Sequence, residues 1–164
     1  MRKGYIYDIE CMGNTHTATF LDIETQELKV FVINHLQDDR KEYFEFLDWC
    51  RTNGAWCGFN NVGYDYPVIH KIMQQKAKLS LLDPNSCALQ IKKISDEIIN
   101  LEFSSIREKE VLIPQVDLFK IKHYDGKAKR GTGLKQLEFV MQMDNIEDMP
   151  YQIGRASCRE RVSS

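Results

Sequence analysis

The sequence has no basic excess: 22 Lys and Arg stand against 24 Asp and Glu, a net charge of −2. A nucleic-acid binder often carries such an excess, so the overall balance does not point to one. A site built from carboxylates would mask it, and the local patterns have to decide. No stretch is continuously apolar for the ~20 residues that a bilayer-spanning helix needs, which excludes such a helix. The first residues, Met1-Arg2-Lys3-Gly4, run straight into a strand-like segment. They lack an apolar h-region and a small-residue cleavage site, which argues against a secretory signal. The five cysteines, Cys11, Cys50, Cys57, Cys87 and Cys158, contain no C-x-x-C pair, and their number is odd. Free thiols in a reducing cytoplasm are expected, and a zinc site is not.

What is present is an ordinary globular composition in 164 residues, enough for one domain with a core. Tyr5 to Glu10, Thr15 to Ile23 and Leu28 to Ile33 read as three strands with short turns, an antiparallel meander. Asp38-Asp39 opens a helix, with Asp39 and Glu42 spaced as a capping box and Tyr43, Phe46, Leu47 and Cys50 at helical spacing. Asn53-Gly54 ends it. Ala55 to Phe59 reads as a buried strand, and Asp65 and Pro67 start a helix through about Lys76. Between Lys78 and Glu110, Pro84-Asn85 reads as a break and Ser86 to Ile94 as helical. Val111 to Asp117 reads as a strand. A basic loop from Gly126 to Gly133 precedes a helix from Leu134 to Met143 with Leu134, Leu137, Phe139 and Val140 on its apolar side. This order predicts an α/β domain with a mixed sheet, a meander joined to parallel crossover strands and flanked by helices, the order of the ribonuclease-H-like fold.

Asp8 and Glu10 alternate on one strand, so both point to the same face. Two carboxylates held together need an offsetting charge, which a divalent cation supplies. Oxygen-rich sites suit Mg²⁺ or Mn²⁺, and two such ions ~4 Å apart can stabilise the attacking and leaving oxygens of a phosphodiester. The second segment, Gly58-Phe59-Asn60-Asn61-Val62-Gly63-Tyr64-Asp65, lies at a strand-to-helix junction, from which Asp65 can approach the strand carrying Asp8. Asn60 offers an amide to bind substrate or hold the loop.

Asp-x-Glu on a first strand followed by Gly-aromatic-Asn-x-x-x-aromatic-Asp resembles the first two exonuclease motifs of the DEDD superfamily. The resemblance is closest to the 3′→5′ proofreading domains of phage and family B DNA polymerases. It runs to about Gln152 and includes Asp117-Leu118-Phe119-Lys120-Ile121 and Gly133-Leu134-Lys135-Gln136-Leu137-Glu138. It implies a ribonuclease-H-like fold and a site in which Asp8 bridges two Mg²⁺ or Mn²⁺ ions, Glu10 ligates one and helps position the attacking water, and Asp65 holds the second. The implied substrate is the 3′ end of single-stranded DNA, the product a nucleoside monophosphate, and the partner a polymerase domain in the same or another chain, in the (host) cytoplasm. Asn60, Tyr64, Asp117, Lys120, Lys129 and Arg130 are the expected substrate-binding residues.

The family also has a third motif, an Asp with a Tyr four residues or a His five residues before it. None of Asp83, Asp96, Asp117, Asp125, Asp144 and Asp148 has that partner. The run from Ile153, Ile-Gly-Arg-Ala-Ser-Cys-Arg-Glu-Arg-Val, resembles the translation of a sequencing adapter. The expectation is an exonuclease-like domain over 1–152, cut before its third motif and impaired in activity, followed by a non-native tail over 153–164.

Blander readings accompany each feature. Asp8 and Glu10 also fit an exposed edge strand, Asp65 a helix N-cap, and Asp117 a cap on the following segment. Asp22-Ile23-Glu24 repeats the Asp-x-Glu pattern and reads as a solvated hairpin end. Lys120, Lys122, Lys127, Lys129 and Arg130, interleaved with His123 and Tyr124, fit a solvated loop as well as a surface that tracks DNA phosphates. His16, His35, His70 and His123 share no ligand spacing and read as surface or helix residues; Phe44, Trp49, Trp56 and Phe59 read as core. Two rival functions remain: an RNA-trimming exonuclease on the same fold, and a non-catalytic nucleic-acid-binding or packing module.

Overall fold

The computed structural model describes residues 1–101, 106, 108–122, 133–134 and 141. The chain divides into two units, Met1–Lys127 and Ala128–Ser164. In the second, Leu134 and Met141 are exposed. The expected basic loop with Lys129 and Arg130, the rest of the helix over 134–143 and the tail over 153–164 lie outside the described residues, as do His123, Tyr124 and Lys127.

The first unit is an α/β fold on a five-stranded mixed sheet. Strands β1 (Lys3–Met12), β2 (Thr15–Asp22) and β3 (Leu28–Ile33) form the meander. Helix α1 (Arg40–Asn53) leads into β4 (Gly54–Gly58) and helix α2 (Asp65–Ser80). Helix α3 (Pro84–Ile99), the short strand β5 (Gln115–Asp117) and the short helix α4 (Leu118–Lys122) follow. The spatial order is β3-β2-β1-β4-β5. β1 pairs antiparallel with β2 and parallel with β4, β2 pairs antiparallel with β3, and β4 pairs parallel with β5. β1 is therefore where the sheet changes direction.

Strand periodicity divides the sheet into two unlike faces. Tyr5, Tyr7, Ile9 and Cys11 alternate with Ile6, Asp8, Glu10 and Met12, and only the first set is buried. The buried face is strongly aromatic. Phe20 packs between Tyr7, at 5.7 Å and nearly parallel, and Phe46 of α1, at 4.8 Å. Trp56 of β4 meets Tyr66 of α2 edge-on.

Several local expectations are corrected. Val111 to Pro114 is not strand; only Gln115–Asp117 pairs with β4. Pro84 does not break a helix but begins one, at a position where its missing N–H costs nothing, with Asp83 as N-cap accepting from Ser86 N–H at 3.0 Å. Asp39 forms no capping box: its carboxylate accepts from Val32 N–H and the Gln37 amide instead, tying α1 to β3. Trp49 is 42% exposed, not core, although its ring still touches Phe46 and Tyr5. His70 lies in helix α2, buried there, whereas His16 is neither on the surface nor in a helix: it sits in β2, where burial pushes its pKa down to about 4. Asp22 is not solvated. It is fully buried, pairs with Lys3 at 2.5 Å and accepts the N–H groups of Glu24 and Thr25, which pulls its pKa down to about 2. The four described cysteines, Cys11, Cys50, Cys57 and Cys87, are free thiols. Among the described residues no helix is long and apolar enough to cross a membrane.

Candidate functional site

The parallel strands β1, β4 and β5 direct their carboxyl ends to one edge of the sheet. In open α/β sheets the crevice outside those ends, where strand direction switches, is the usual ligand site. A mismatch in strand length opens it here. β1 runs to Met12, but its last partner on β4 is Cys57, opposite Ile6. β4 then turns off at Gly58. A Cβ on Gly58 would stand 2.8 Å from Asn61 Cβ and 3.3 Å from the Tyr7 carbonyl, so only glycine lets the chain leave β1 so tightly. Beyond Ile6, the β4 side of β1 has no strand beside it.

Asp65 fills that gap. It is the first residue of α2, not an N-cap, since Tyr64 holds the cap position without a side-chain cap bond. The Asp65 carboxylate turns to the strand and accepts the Ile9 N–H at 3.2 Å, taking the bond that a longer β4 would have taken. Pro67, at the third helical position, removes one of the N–H groups that lack a partner in a first turn.

The Ile9 N–H belongs to the Asp8–Ile9 peptide, so this bond brings Asp65 next to Asp8, with Glu10 farther along the strand. The three acids expected from the sequence therefore come together, and their electrostatics register it. Burial raises the Asp65 pKa most, the charge of Asp8 next, and Glu10 contributes; together they push it up to about 7. Asp8 is raised by desolvation, opposed by hydrogen bonds from the Ile9 backbone and the Asp65 carboxyl. Glu10 is raised by desolvation and then by the charge of Asp8. Asp8 and Glu10 face solvent, while Asp65 is only 6% exposed.

The donors are carboxylate oxygens, which suit Mg²⁺ or Mn²⁺ and not a soft metal. Mutual repulsion in a partly dry crevice is what a divalent cation relieves, so the residues fit such an ion. As the side chains stand, no three of His, Cys, Asp and Glu among the described residues form a ready ligand group. The spacing accounts for this: Asp8 and Glu10 are two residues apart on an extended strand, about 6.6 Å between Cα atoms, and Asp65 spends one oxygen on Ile9. Convergence on an ion requires the two exposed side chains to turn inward.

The loop between β4 and α2 is fastened from β5. Asp117 is buried and its carboxylate accepts three backbone N–H groups, from Asn60 at 2.9 Å, Val62 at 3.3 Å and Phe119 at 3.0 Å. Asn60 sits in the left-handed region at φ 58°, which asparagine tolerates well, with its side chain at an exposed position. Asn61 is fully buried and donates to Gln115 at 2.6 Å, and Gln115 also accepts from the Tyr7 hydroxyl. Tyr64 turns its hydroxyl inward to Ser95 at 2.8 Å. Lys120 is exposed on α4, at the same end of the sheet as Asp117.

Of the residues expected at the site, the fold thus gathers Asp8, Glu10 and Asp65 and places Asn60 on the adjoining loop. It employs Asp117 and the Tyr64 hydroxyl as internal fastenings. Sequence reading passed over Asn61, Gln115 and Ser95. The doubled asparagine after Gly58 was the one signal for a hydrogen-bonded turn there. Comparison of the chain with protein-family models, with curated proteins and with solved structures finds no match.

Proposed function

We propose that this chain is a metal-dependent nuclease domain of ribonuclease-H-like fold, acting as a 3′→5′ exonuclease on single-stranded DNA. The observation that carries the reading is the Asp65–Ile9 hydrogen bond, which brings a third acid to the strand that carries Asp8 and Glu10, at the carboxyl ends of the parallel strands. The strand order β3-β2-β1-β4-β5 is compatible with that fold.

In this reading Asp8, Glu10 and Asp65 hold Mg²⁺ or Mn²⁺, and such ions, when bound, supply Lewis acidity at the scissile phosphate and a more acidic water. The chain's own residues do the rest. Glu10, exposed on the strand, orients a water toward phosphorus and accepts its proton. The water oxygen bonds to phosphorus, the P–O3′ bond breaks, and the 3′ oxygen of the shortened strand leaves and takes a proton from solvent. A nucleoside 5′-monophosphate departs. Asn60 and Lys120 stand at the same end of the sheet, where a phosphate backbone would pass.

The sequence has no aspartate after Asp65 with a Tyr four or a His five residues before it, so turnover is expected to be weak. Mn²⁺ titration followed by electron paramagnetic resonance tests the site directly. Wild type is expected to bind Mn²⁺ and Asp8→Ala to lose that binding, with slow Mn²⁺-dependent shortening of a 5′-labelled oligonucleotide by wild type alone. Equal Mn²⁺ binding by wild type and Asp8→Ala would leave a non-catalytic packing or nucleic-acid-binding module as the better reading.

A further inference from the structure

We propose that Cys11, Tyr64 and Ser95 form a clamp behind the acids that sets the distance of Asp65 from Asp8 and Glu10, with Tyr64 and Ser95 as positioning residues. The inference rests on the metal-site reading above and names what holds that site in register.

Each member is covalently next to, or packed beneath, an acid carrier. Cys11 follows Glu10 on β1, and strand alternation sends its side chain to the buried face while Glu10 points to the open one. Tyr64 precedes Asp65. Ser95 comes from α3, is 1% exposed, and shares a hydrogen bond of 2.8 Å with the Tyr64 hydroxyl. Helix α3, which carries Ser95, also packs against β1, where Cys11 is buried. On its other side, Cys11 Sγ meets His16 Nδ1 at 3.3 Å, across the β1–β2 pair in which the two residues are partners. The His16 ring in turn packs on Tyr43 of α1 at 5.5 Å. The Tyr64–Ser95 bond thus ties the start of α2 to α3, and α3 packs on β1 around Cys11, beneath the crevice.

An apolar trio of similar volume would fill this space without the desolvation cost of two hydroxyls and a thiol. What hydrogen bonds add is direction and a narrow distance, since they weaken steeply outside 2.5–3.2 Å, whereas apolar contacts allow sliding. Sliding is what the site cannot absorb. α2 meets β1 through the Asp65 carboxyl, which accepts the Ile9 N–H, and Tyr64 has no side-chain cap bond to fix the helix start. The clamp supplies that fixation from the side away from substrate.

The experiment measures Mn²⁺ affinity by paramagnetic resonance in wild type, Tyr64→Phe, Ser95→Ala, the double variant, Ser95→Thr and Asp8→Ala, each with a thermal melt. Ile72→Val, a buried change on α2 away from the clamp, shows what general loosening alone does. Tyr64→Phe and Ser95→Ala are each expected to weaken Mn²⁺ binding about tenfold, the lower end for groups that orient metal ligands. The double variant is expected to bind no more weakly than the worse single, because the two hydroxyls act through one bond. Ser95→Thr keeps the hydroxyl and is expected to retain affinity, and Ile72→Val to bind as wild type. If Asp8→Ala abolishes binding while Tyr64→Phe and Ser95→Ala bind as wild type, the clamp is wrong and the metal site stands. Equal losses in Ser95→Thr and Ser95→Ala, or in Ile72→Val, also overturn the clamp. If wild type binds no Mn²⁺, the underlying reading fails and the clamp with it.

Discussion

At Asp65, burial and two neighbouring carboxylates act in the same direction. Its pKa of about 7 in the fold stands against 3.8 in an unfolded chain. The folded state therefore keeps a proton that the unfolded chain has lost, and stability falls as pH rises from about 4 to 7. At 1.36 kcal/mol per unit, the difference is at most about 4 kcal/mol. Asp65→Asn can still accept the Ile9 N–H through its amide oxygen. Without divalent ions it should melt above wild type at pH 8, the gap closing as the pH is lowered toward 4, while Mn²⁺ no longer raises its melting temperature. Asp22 is the opposite case. Lys3 and two backbone N–H groups hold its pKa at about 2, below the unfolded 3.8. Its contribution is complete above pH 4 and disappears as pH falls through 2. Asp22→Asn should lower the melting temperature at pH 7 and make no difference near pH 1.5. The two Asp-x-Glu pairs look alike in the sequence. What separates them is the partner: Asp22 has a lysine, and Asp8 has more acids. That depends on which strands pair, and no local pattern carries it.

At the scale of elements, β1, β4 and the β4–α2 loop decide the site. The strand alternation placing Asp8 and Glu10 together was legible, because a period of two needs no tertiary information. So were the meander and the helix after Gly63. The strand-length mismatch was not legible, since Gly58 ends β4 through its contact with Asn61 and Tyr7, residues remote in the chain or hidden in a turn. Nor was the short span of β5: Val111 to Pro114 is apolar enough for a strand, but pairing with β4 begins only at Gln115. Asp117 is the test of how firmly the loop is held. Asp117→Asn replaces an acceptor oxygen with a donor facing backbone N–H groups. It should cost about 1–3 kcal/mol in urea unfolding, the penalty for a buried donor left unmatched. Mn²⁺ affinity should fall less than in Asp65→Asn, because the loop moves while the three proposed ligands remain.

Across the whole first unit, the two sheet faces carry unequal weight. Ile9 is 3% exposed and Ile6 is 48% exposed, though they lie three residues apart on one strand. Ile9→Ala should destabilise by about 2–5 kcal/mol, as buried Ile truncations do, and Ile6→Thr by under about 1 kcal/mol. Parallel denaturant titrations give both values. If Ile6→Thr cost as much as Ile9→Ala, the face bearing Asp8 and Glu10 would be a second core and not an open surface. The α/β class with a mixed sheet was readable because alternation and helical spacing are strong over long segments. The electrostatics of the site were not, because they arise from residues more than fifty positions apart.

The Ile9 amide of β1 is held by a side chain instead of a neighbouring strand. The Ile9 N–H points at Asp65, so its chemical shift and its exchange with deuterated solvent follow the charge on that carboxyl. The backbone thereby carries an indicator at the centre of the crevice. It is readable by nuclear magnetic resonance without any label on the acids, and it responds when a proton or a cation takes up the oxygen beside it.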